Sequence, residues 1–194
     1  MLDIAEVRER LAMTQRFRGY SGVAAAASGC FAIVAGVVQA LLAPAPANAY
    51  EDRLYAAIWL ACGGAAMIVN YASIAHWVAS DASARDRWQT RTVGLSILPA
   101  LLLGGALTAV LLGDNHYTLL PGIWSACYGV GLFASRTLVP RPVVPIAALF
   151  LLIGIALLFA QASLSLAWWV LPSIFGTGQI AIGFFVARDR VTQA

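Results

Sequence analysis

Long uncharged apolar stretches alternate with short charged segments along this chain. The first stretch lies between Arg18 and Glu51, and it predicts a helix over residues 20–42. A helix needs about 20 apolar residues to cross a bilayer, and this stretch has that length. Three further stretches lie between Arg53 and Asp81, between Arg91 and Asp114, and between Asp114 and Arg136.

The last uncharged stretch, from Arg141 to Arg188, is long enough for two helices joined by a tight turn. Residues 161–165, with the sequence QASLS, are the polar interruption at which we expect that turn. The pattern therefore predicts six transmembrane helices.

Composition favours lipid as the solvent of these helices. The chain is 61% hydrophobic and only 11% charged, whereas soluble domains carry about 25% charged residues. Only helices and closed barrels satisfy the backbone in lipid. Because the stretches are continuously apolar and do not alternate, helices are favoured over a barrel. We predict an all-α polytopic membrane helix bundle over residues 20–187.

Short polar segments flank the predicted bundle. Residues 1–19 place Ile4, Val7 and Leu11 at helical spacing among charged residues, which predicts a cytoplasmic amphipathic segment on the inner leaflet. This segment is either a solvated cap or a docking surface for a partner. Residues 188–194 are expected to form a cytoplasmic tail.

Every one of the 12 Lys+Arg residues is an arginine, and their distribution predicts the orientation. With six spans, eleven arginines fall on the side of both termini and only Arg53 falls on the other. Cytoplasmic loops carry such an excess of basic residues. We therefore expect both termini to be cytoplasmic. Since the arginines are dispersed at helix ends, they do not indicate nucleic-acid binding.

The even-numbered predicted helices resemble one another, which suggests three copies of one hairpin. Each has a tryptophan, a small residue five positions later and a polar residue eleven positions later. These are Trp59, Gly64 and Asn70; Trp124, Gly129 and Ser135; and Trp168, Ser173 and Gln179. The odd-numbered helices share Gly36, Gly105 and Gly154. A true repeat would place Asn70, Ser135 and Gln179 in one polar ring; the alternative is that tryptophan and glycine recur for interfacial and packing reasons.

Small residues dominate one face of the first predicted helix. They are Gly22, Ala25, Gly29, Ala32 and Gly36. Such spacing permits close approach of another helix. The partner is either another helix of this chain or a second copy in a homo-oligomer.

The sequence offers little catalytic chemistry. No charged residue lies deep in a predicted span, which disfavours ion-coupled transporters and intramembrane proteases. His76 and His116 fall on opposite membrane faces, so they cannot ligate one metal or haem together. His76 is a candidate single ligand, although an interfacial histidine without a metal is the commoner case. We expect no metal, no cofactor and no enzymatic activity.

The uncharged polar residues are the remaining candidates. Asn70, Tyr71 and Gln179 are expected at similar depth, with Ser135 in the same set. Their ordinary role in a membrane is hydrogen bonding between helices. The alternative is that they line a small cavity.

Three segments carry a resemblance to a known group of proteins. They are 119–129, the Arg141–Pro142 turn, and the closing 183–188. The chain resembles a family of small six-helix bacterial membrane proteins of unknown function, often encoded beside winged-helix regulators. The resemblance implies an inner-membrane location and supplies no catalytic residues.

Two functions are consistent with these features. The first is a non-enzymatic sensor, scaffold or partner subunit that acts through the arginine-rich cytoplasmic face. The alternative is a small permease or channel for a neutral or apolar solute. Beyond the lipid bilayer, the expected partner is a protein or a second copy of the chain.

Overall fold

A computed structural model describes residues 21–80, 84–137, 139–160 and 162–192, and within these ranges it contains helices and no strand. We number the helices α1 Gly22–Leu42, α2 Ala49–Ser80, α3 Ala84–Gly113, α4 Leu120–Ala134, α5 Val143–Leu158, α6 Ala162–Ser165 and α7 Thr177–Thr192. A 3₁₀ turn, Tyr117–Leu119, leads into α4, and a π-helical turn, Pro172–Gly176, leads into α7. The predicted all-α fold is confirmed.

Polar side chains cap the N-termini of α1 and α2. Ser21 caps α1, since its hydroxyl accepts a hydrogen bond from the backbone N–H of Ala24 at 3.2 Å. The Asn48 side chain accepts bonds from the N–H groups of Tyr50 and Glu51 at the start of α2. These caps satisfy N–H groups that have no partner within the helix.

Three helical segments are long and apolar enough to cross a membrane: α1, α2 and the Gly94–Gly113 part of α3. The α5 helix is apolar but shorter. Helical structure is unbroken from Val170 through the π turn to Thr192, so α7 runs past Arg188 into the predicted tail. The predicted amphipathic segment 1–19 lies outside the described residues.

Two antiparallel helix pairs make very close backbone contacts. In the α1–α7 pair, a Cβ built on Gly22 would lie 2.6 Å from the carbonyl oxygen of Gly183. In the α4–α5 pair, a Cβ on Gly129 would lie 2.6 Å from the backbone nitrogen of Leu151. Only glycine permits these approaches, because any side chain would collide with the neighbouring backbone.

The remaining contacts divide the bundle into two groups of three helices. One group contains α1, α2 and α7, and the other contains α3, α4 and α5. The consecutive helices α2 and α3 have no extended backbone contact with each other within the described residues. The final helix α7 packs mainly against α1 and only slightly against α5, its partner in the third hairpin of the predicted repeat.

Two apolar clusters join these groups, one toward each end of the bundle. Trp59, Tyr117 and Leu166 belong to the cluster at the end where α2 begins, which we call the tryptophan end. Ala25, Val143 and Val186 belong to the other cluster, toward the end where α1 begins. Arg87, Arg91, Arg136, Arg141 and Arg188 lie on the helices and turns at this second end, which we call the arginine end.

Candidate functional site: polar contacts inside the bundle

Gln39 is the most extensively bonded polar side chain of the interior. It is completely buried on α1. Its Nε2 donates to the carbonyl of Leu166 at 2.8 Å, and its Oε1 accepts from the indole Nε1 of Trp59 at 2.8 Å. A further bond, from the N–H of Trp168 to the carbonyl of Pro44, lies beside it. Gln39 therefore connects α1, α2 and the loop before α7 at the tryptophan end.

The α3–α4 hairpin repeats part of this arrangement. The indole Nε1 of Trp124 donates to the hydroxyl of Thr108 at 2.9 Å. Thr108 stands three residues after Gly105, as Gln39 stands three residues after Gly36. The third hairpin lacks this contact: Leu157 occupies the corresponding position, and Trp168 is 43% exposed. The structural likeness thus joins the first two hairpins only.

Asn70 connects α2 to α1. Its Nδ2 donates to the hydroxyl of Ser28 at 2.7 Å and to the carbonyl of Ala66 on its own helix at 2.8 Å. The Ser28 hydroxyl in turn donates to the carbonyl of Ala24. Asn70 is therefore a helix-joining residue in this structure.

Gln179 connects the two groups of helices. It lies on α7, and its Nε2 donates to the hydroxyl of Tyr128 on α4 at 2.7 Å. The Tyr128 ring packs against Phe150 and Phe175, with ring centroids 4.9 and 5.6 Å apart. Phe150 also covers Gly178, where a Cβ would lie 2.6 Å from the Phe150 ring. The π turn thus places Phe175, Gly178 and Gln179 on one surface facing α4 and α5.

The three faces of α4 can be assigned from their contacts. Trp124, Cys127 and Gly131 meet α3, whereas Gly122 and Gly129 meet α5. The face between these two is directed into the bundle, and its residues share the spacing i, i+4, i+7, i+11 and i+14. They are Pro121, Ser125, Tyr128, Leu132 and Ser135.

The predicted polar ring is not formed by hydrogen bonds among its members. Ser135 is buried, but its hydroxyl donates to the carbonyl of Gly131 on its own helix. The bonds of Asn70 and Gln179 go to Ser28 and Tyr128 in separate helix pairs. The two other candidates, Tyr71 and His76, have exposed side chains on α2.

The small-residue face of α1 is internal. Gly22 meets Gly183, Gly29 meets the carbonyl of Gly176, and Gly36 meets the ring of Pro172. Ala25 and Ala32 on the same face are buried. Because α7 and the π turn occupy this face, it is not available to a second copy of the chain.

An apolar groove lies near the tryptophan end, between α5 and the segment that leads from α6 through the π turn. Its volume is about 330 Å³, and it is lined by Ile153, Leu157, Leu164, Trp169, Val170, Ser173 and Ile174. Neither Asn70 nor Gln179 lines it.

Positive charge is exposed at the arginine end. The guanidinium groups of Arg87, Arg91 and Arg141 are exposed, and they form no ion pair within the described ranges. Arg136 lies 5.0 Å from the centre of the Phe133 ring, a cation–π contact. Arg53 lies on α2 at the opposite end.

Metal chemistry has no site in the part of the chain that the structure describes, where no three His, Cys, Asp or Glu side chains come together. Gln39, Ser125 and Tyr128 were not predicted from the sequence. A signal for Gln39 existed, since it continues the i+3/i+4 spacing of Gly29, Ala32 and Gly36. Comparison of the chain with protein-family models, with curated proteins and with solved structures gave no match.

Proposed function

We propose that this chain is a multi-pass protein of the bacterial inner membrane and acts as a non-enzymatic partner subunit. In this proposal it crosses the membrane six times, with both termini and the arginine end in the cytoplasm. The described arginines support that orientation, because an excess of basic residues is retained on the cytoplasmic side.

The unoccupied faces of α2 and α3 carry the proposal. A Cβ built on Gly63 or Gly64 of α2, or on Gly105 of α3, would meet no atom within 4 Å. By contrast, the close helix pairs of this chain are packed around glycines. Membrane helices associate through such small residues. These glycines lie on two consecutive helices and have no neighbouring atom among the described residues. They therefore favour a helix of another protein as their neighbour.

Large side chains on the same helices are also exposed. Met67 is 49% exposed on α2, and Leu102 is 63% exposed on α3. The exposed guanidinium groups of Arg87 and Arg91, which form no ion pair with the described residues, lie at the cytoplasmic end of α3 in this orientation. They would recognise acidic groups of the partner, and such charges add specificity and faster association.

Site-specific photo-crosslinking in living cells tests this function. A benzophenone amino acid would replace Leu60 or Met67 on α2 and Leu102 on α3. The control positions are Leu41 of α1 and Leu152 of α5, which are 78% and 62% exposed. We expect one discrete protein adduct from the α2 and α3 positions and only lipid adducts from the controls. Lipid adducts alone at all five positions would rule the partner out.

A small permease for a neutral solute is the second candidate. It is favoured by one observation, the buried Gln179 Oε1, which has no donor among the described residues. A solute path through the bundle would need such polar atoms in its lining. Asn70→Leu distinguishes this candidate from the partner subunit, because a permease that uses Asn70 would lose solute flux in that variant.

A further inference from the structure

Three buried polar atoms have no hydrogen-bond partner within the described residues. One is the Tyr55 hydroxyl on α2, and the other two are Oε1 of Gln179 on α7 and Oγ of Ser125 on α4. Gln179 is 8% exposed and Ser125 is completely buried. A buried polar atom without a partner is strongly unfavourable, so each such atom in a native structure requires an explanation.

The Gln179 and Ser125 atoms belong to one region of the interior. Ser125 and Tyr128 lie on the inward face of α4, one helical turn apart, and the Gln179 amide is bonded to the Tyr128 hydroxyl at 2.7 Å. Helical side chains lean toward the N-terminus of their own helix. The Tyr128 side chain therefore leans toward the level of Ser125. Because the amide of Gln179 is bonded to the Tyr128 hydroxyl, we infer that this amide lies toward the same level.

The Ser125 hydroxyl makes no hydrogen bond to its own helix. Ser28, Thr108 and Ser135 each donate to the carbonyl four residues earlier. This is the usual arrangement for a hydroxyl inside a helix. Ser125 makes no such bond. Since its face of α4 is directed into the bundle, its hydroxyl is available to a group in the interior.

We propose that Ser125, Tyr128 and Gln179 form a buried binding site for water between α4 and α7. A buried water molecule requires two to four polar partners, and Oε1 of Gln179 and Oγ of Ser125 are two such atoms. The water donates one hydrogen bond to Oε1 of Gln179 and makes a second with Oγ of Ser125. The site is independent of the partner proposed above, because it faces the interior and not α2 or α3.

Water contact at glutamine side chains tests the site. The protein would be labelled with ¹⁵N at its glutamine side chains and reconstituted in lipid bilayers. Magic-angle-spinning NMR would then measure magnetisation transfer from water to each Nε2 group. The Gln179 signal is assigned by its loss in Gln179→Leu.

Gln39 is the internal control, since it is also a buried glutamine but its amide oxygen is bonded to Trp59. It also lies nearer to an end of the bundle, so depth cannot explain a stronger signal at Gln179. We expect the Gln179 amide to receive water magnetisation, and to exchange in D₂O, roughly tenfold faster than the Gln39 amide. Equal protection of the two amides would overturn the proposal.

A pair of serine variants tests the shared site. Ser125→Ala removes a partner of the water, so transfer to Gln179 should fall several-fold. Ser135→Ala is the matched control. Ser135 lies on the same face of α4 as Ser125, but its hydroxyl is already bonded to the carbonyl of Gly131. Undiminished transfer in Ser125→Ala would overturn the proposal, as would an equal reduction in both variants.

Discussion

The indole Nε1 of Trp59 donates a hydrogen bond to Oε1 of Gln39, and the two atoms are 2.8 Å apart. The amide nitrogen of the same glutamine holds the carbonyl of Leu166, more than 120 residues away in sequence. One side chain of α1 thus connects the N-terminal half of α2 to the loop before α7. The contribution of this contact to the free energy of unfolding can be measured.

Gln39→Leu should lower the free energy of unfolding by about 1–3 kcal/mol, because it leaves the buried indole N–H and the Leu166 carbonyl without these partners. Unfolding by a denaturing detergent, followed by tryptophan fluorescence, measures the change. The control is Leu41→Ala on the exposed side of α1, where we expect a change within about 0.5 kcal/mol. Equal effects of the two variants would show that the contact contributes nothing.

Gly154→Ala should destabilise the α4–α5 pair by about 1–3 kcal/mol, since the new Cβ cannot be accommodated without backbone movement. That atom would lie 2.4 Å from the backbone nitrogen of Ala126. The matched control is Gly105→Ala, because its Cβ would meet no atom within 4 Å. There we expect a gain of about 0.5–1 kcal/mol from reduced backbone entropy of the unfolded chain. Thermal unfolding in detergent compares the two, and a loss of stability at Gly105 would contradict the open face of α3.

Cysteine labelling tests one crossing of the proposed six-span topology, that of α4. After Cys30, Cys62 and Cys127 have been replaced by alanine, a single cysteine is introduced at Asn115 or at Thr137, both of which are exposed. A membrane-impermeant maleimide should label Asn115→Cys in intact spheroplasts. It should label Thr137→Cys only after lysis, because the arginine end faces the cytoplasm in the proposed orientation. Labelling of both sites from one side would exclude a membrane crossing between them.

Asn70→Leu separates the partner subunit from the permease. The variant loses the bond to Ser28, and such bonds between membrane helices contribute about 0.6 kcal/mol on average, so the fold should persist. A permease that uses Asn70 would lose solute flux, measured as osmotic swelling of proteoliposomes with small neutral solutes. We expect no flux with either protein; flux in the parent chain that disappears in Asn70→Leu would favour the permease. Ser28→Ala is the control, as it breaks the same bond without changing Asn70.

Individual helices could be predicted well because their cause is local. The helix predicted over residues 20–42 is α1, Gly22–Leu42, and it is followed by Pro44 and Pro46. A tight turn was predicted at residues 161–165; residues 162–165 instead form the short helix α6, which lies in a longer connection between α5 and α7. The length of an apolar stretch and the positions of its flanking prolines are local features, so they can be read directly from the sequence.

Contacts between helices were predicted less well. Asn70 and Gln179 were recognisable as intramembrane polar residues, but their partners Ser28 and Tyr128 were not. Any of several small polar side chains could satisfy an amide, and the choice depends on which helices are neighbours. Gly36, Gly105 and Gly154 look equivalent in sequence, yet the first and third are tightly packed and the second meets nothing.

The sequence by itself determined that the chain forms apolar helices with arginines gathered at alternate helix ends, because hydropathy and charge are properties of each segment alone. Only the tertiary structure decided that α7 packs against α1, that α4 packs against α5, and that Ser125 and Gln179 face one interior region. In lipid, apolar side chains are nearly as well solvated by acyl chains as by each other. Helix pairing therefore depends on the fit of glycines and hydrogen-bonding groups between surfaces that are distant in sequence, and that fit exists only once the helices are assembled.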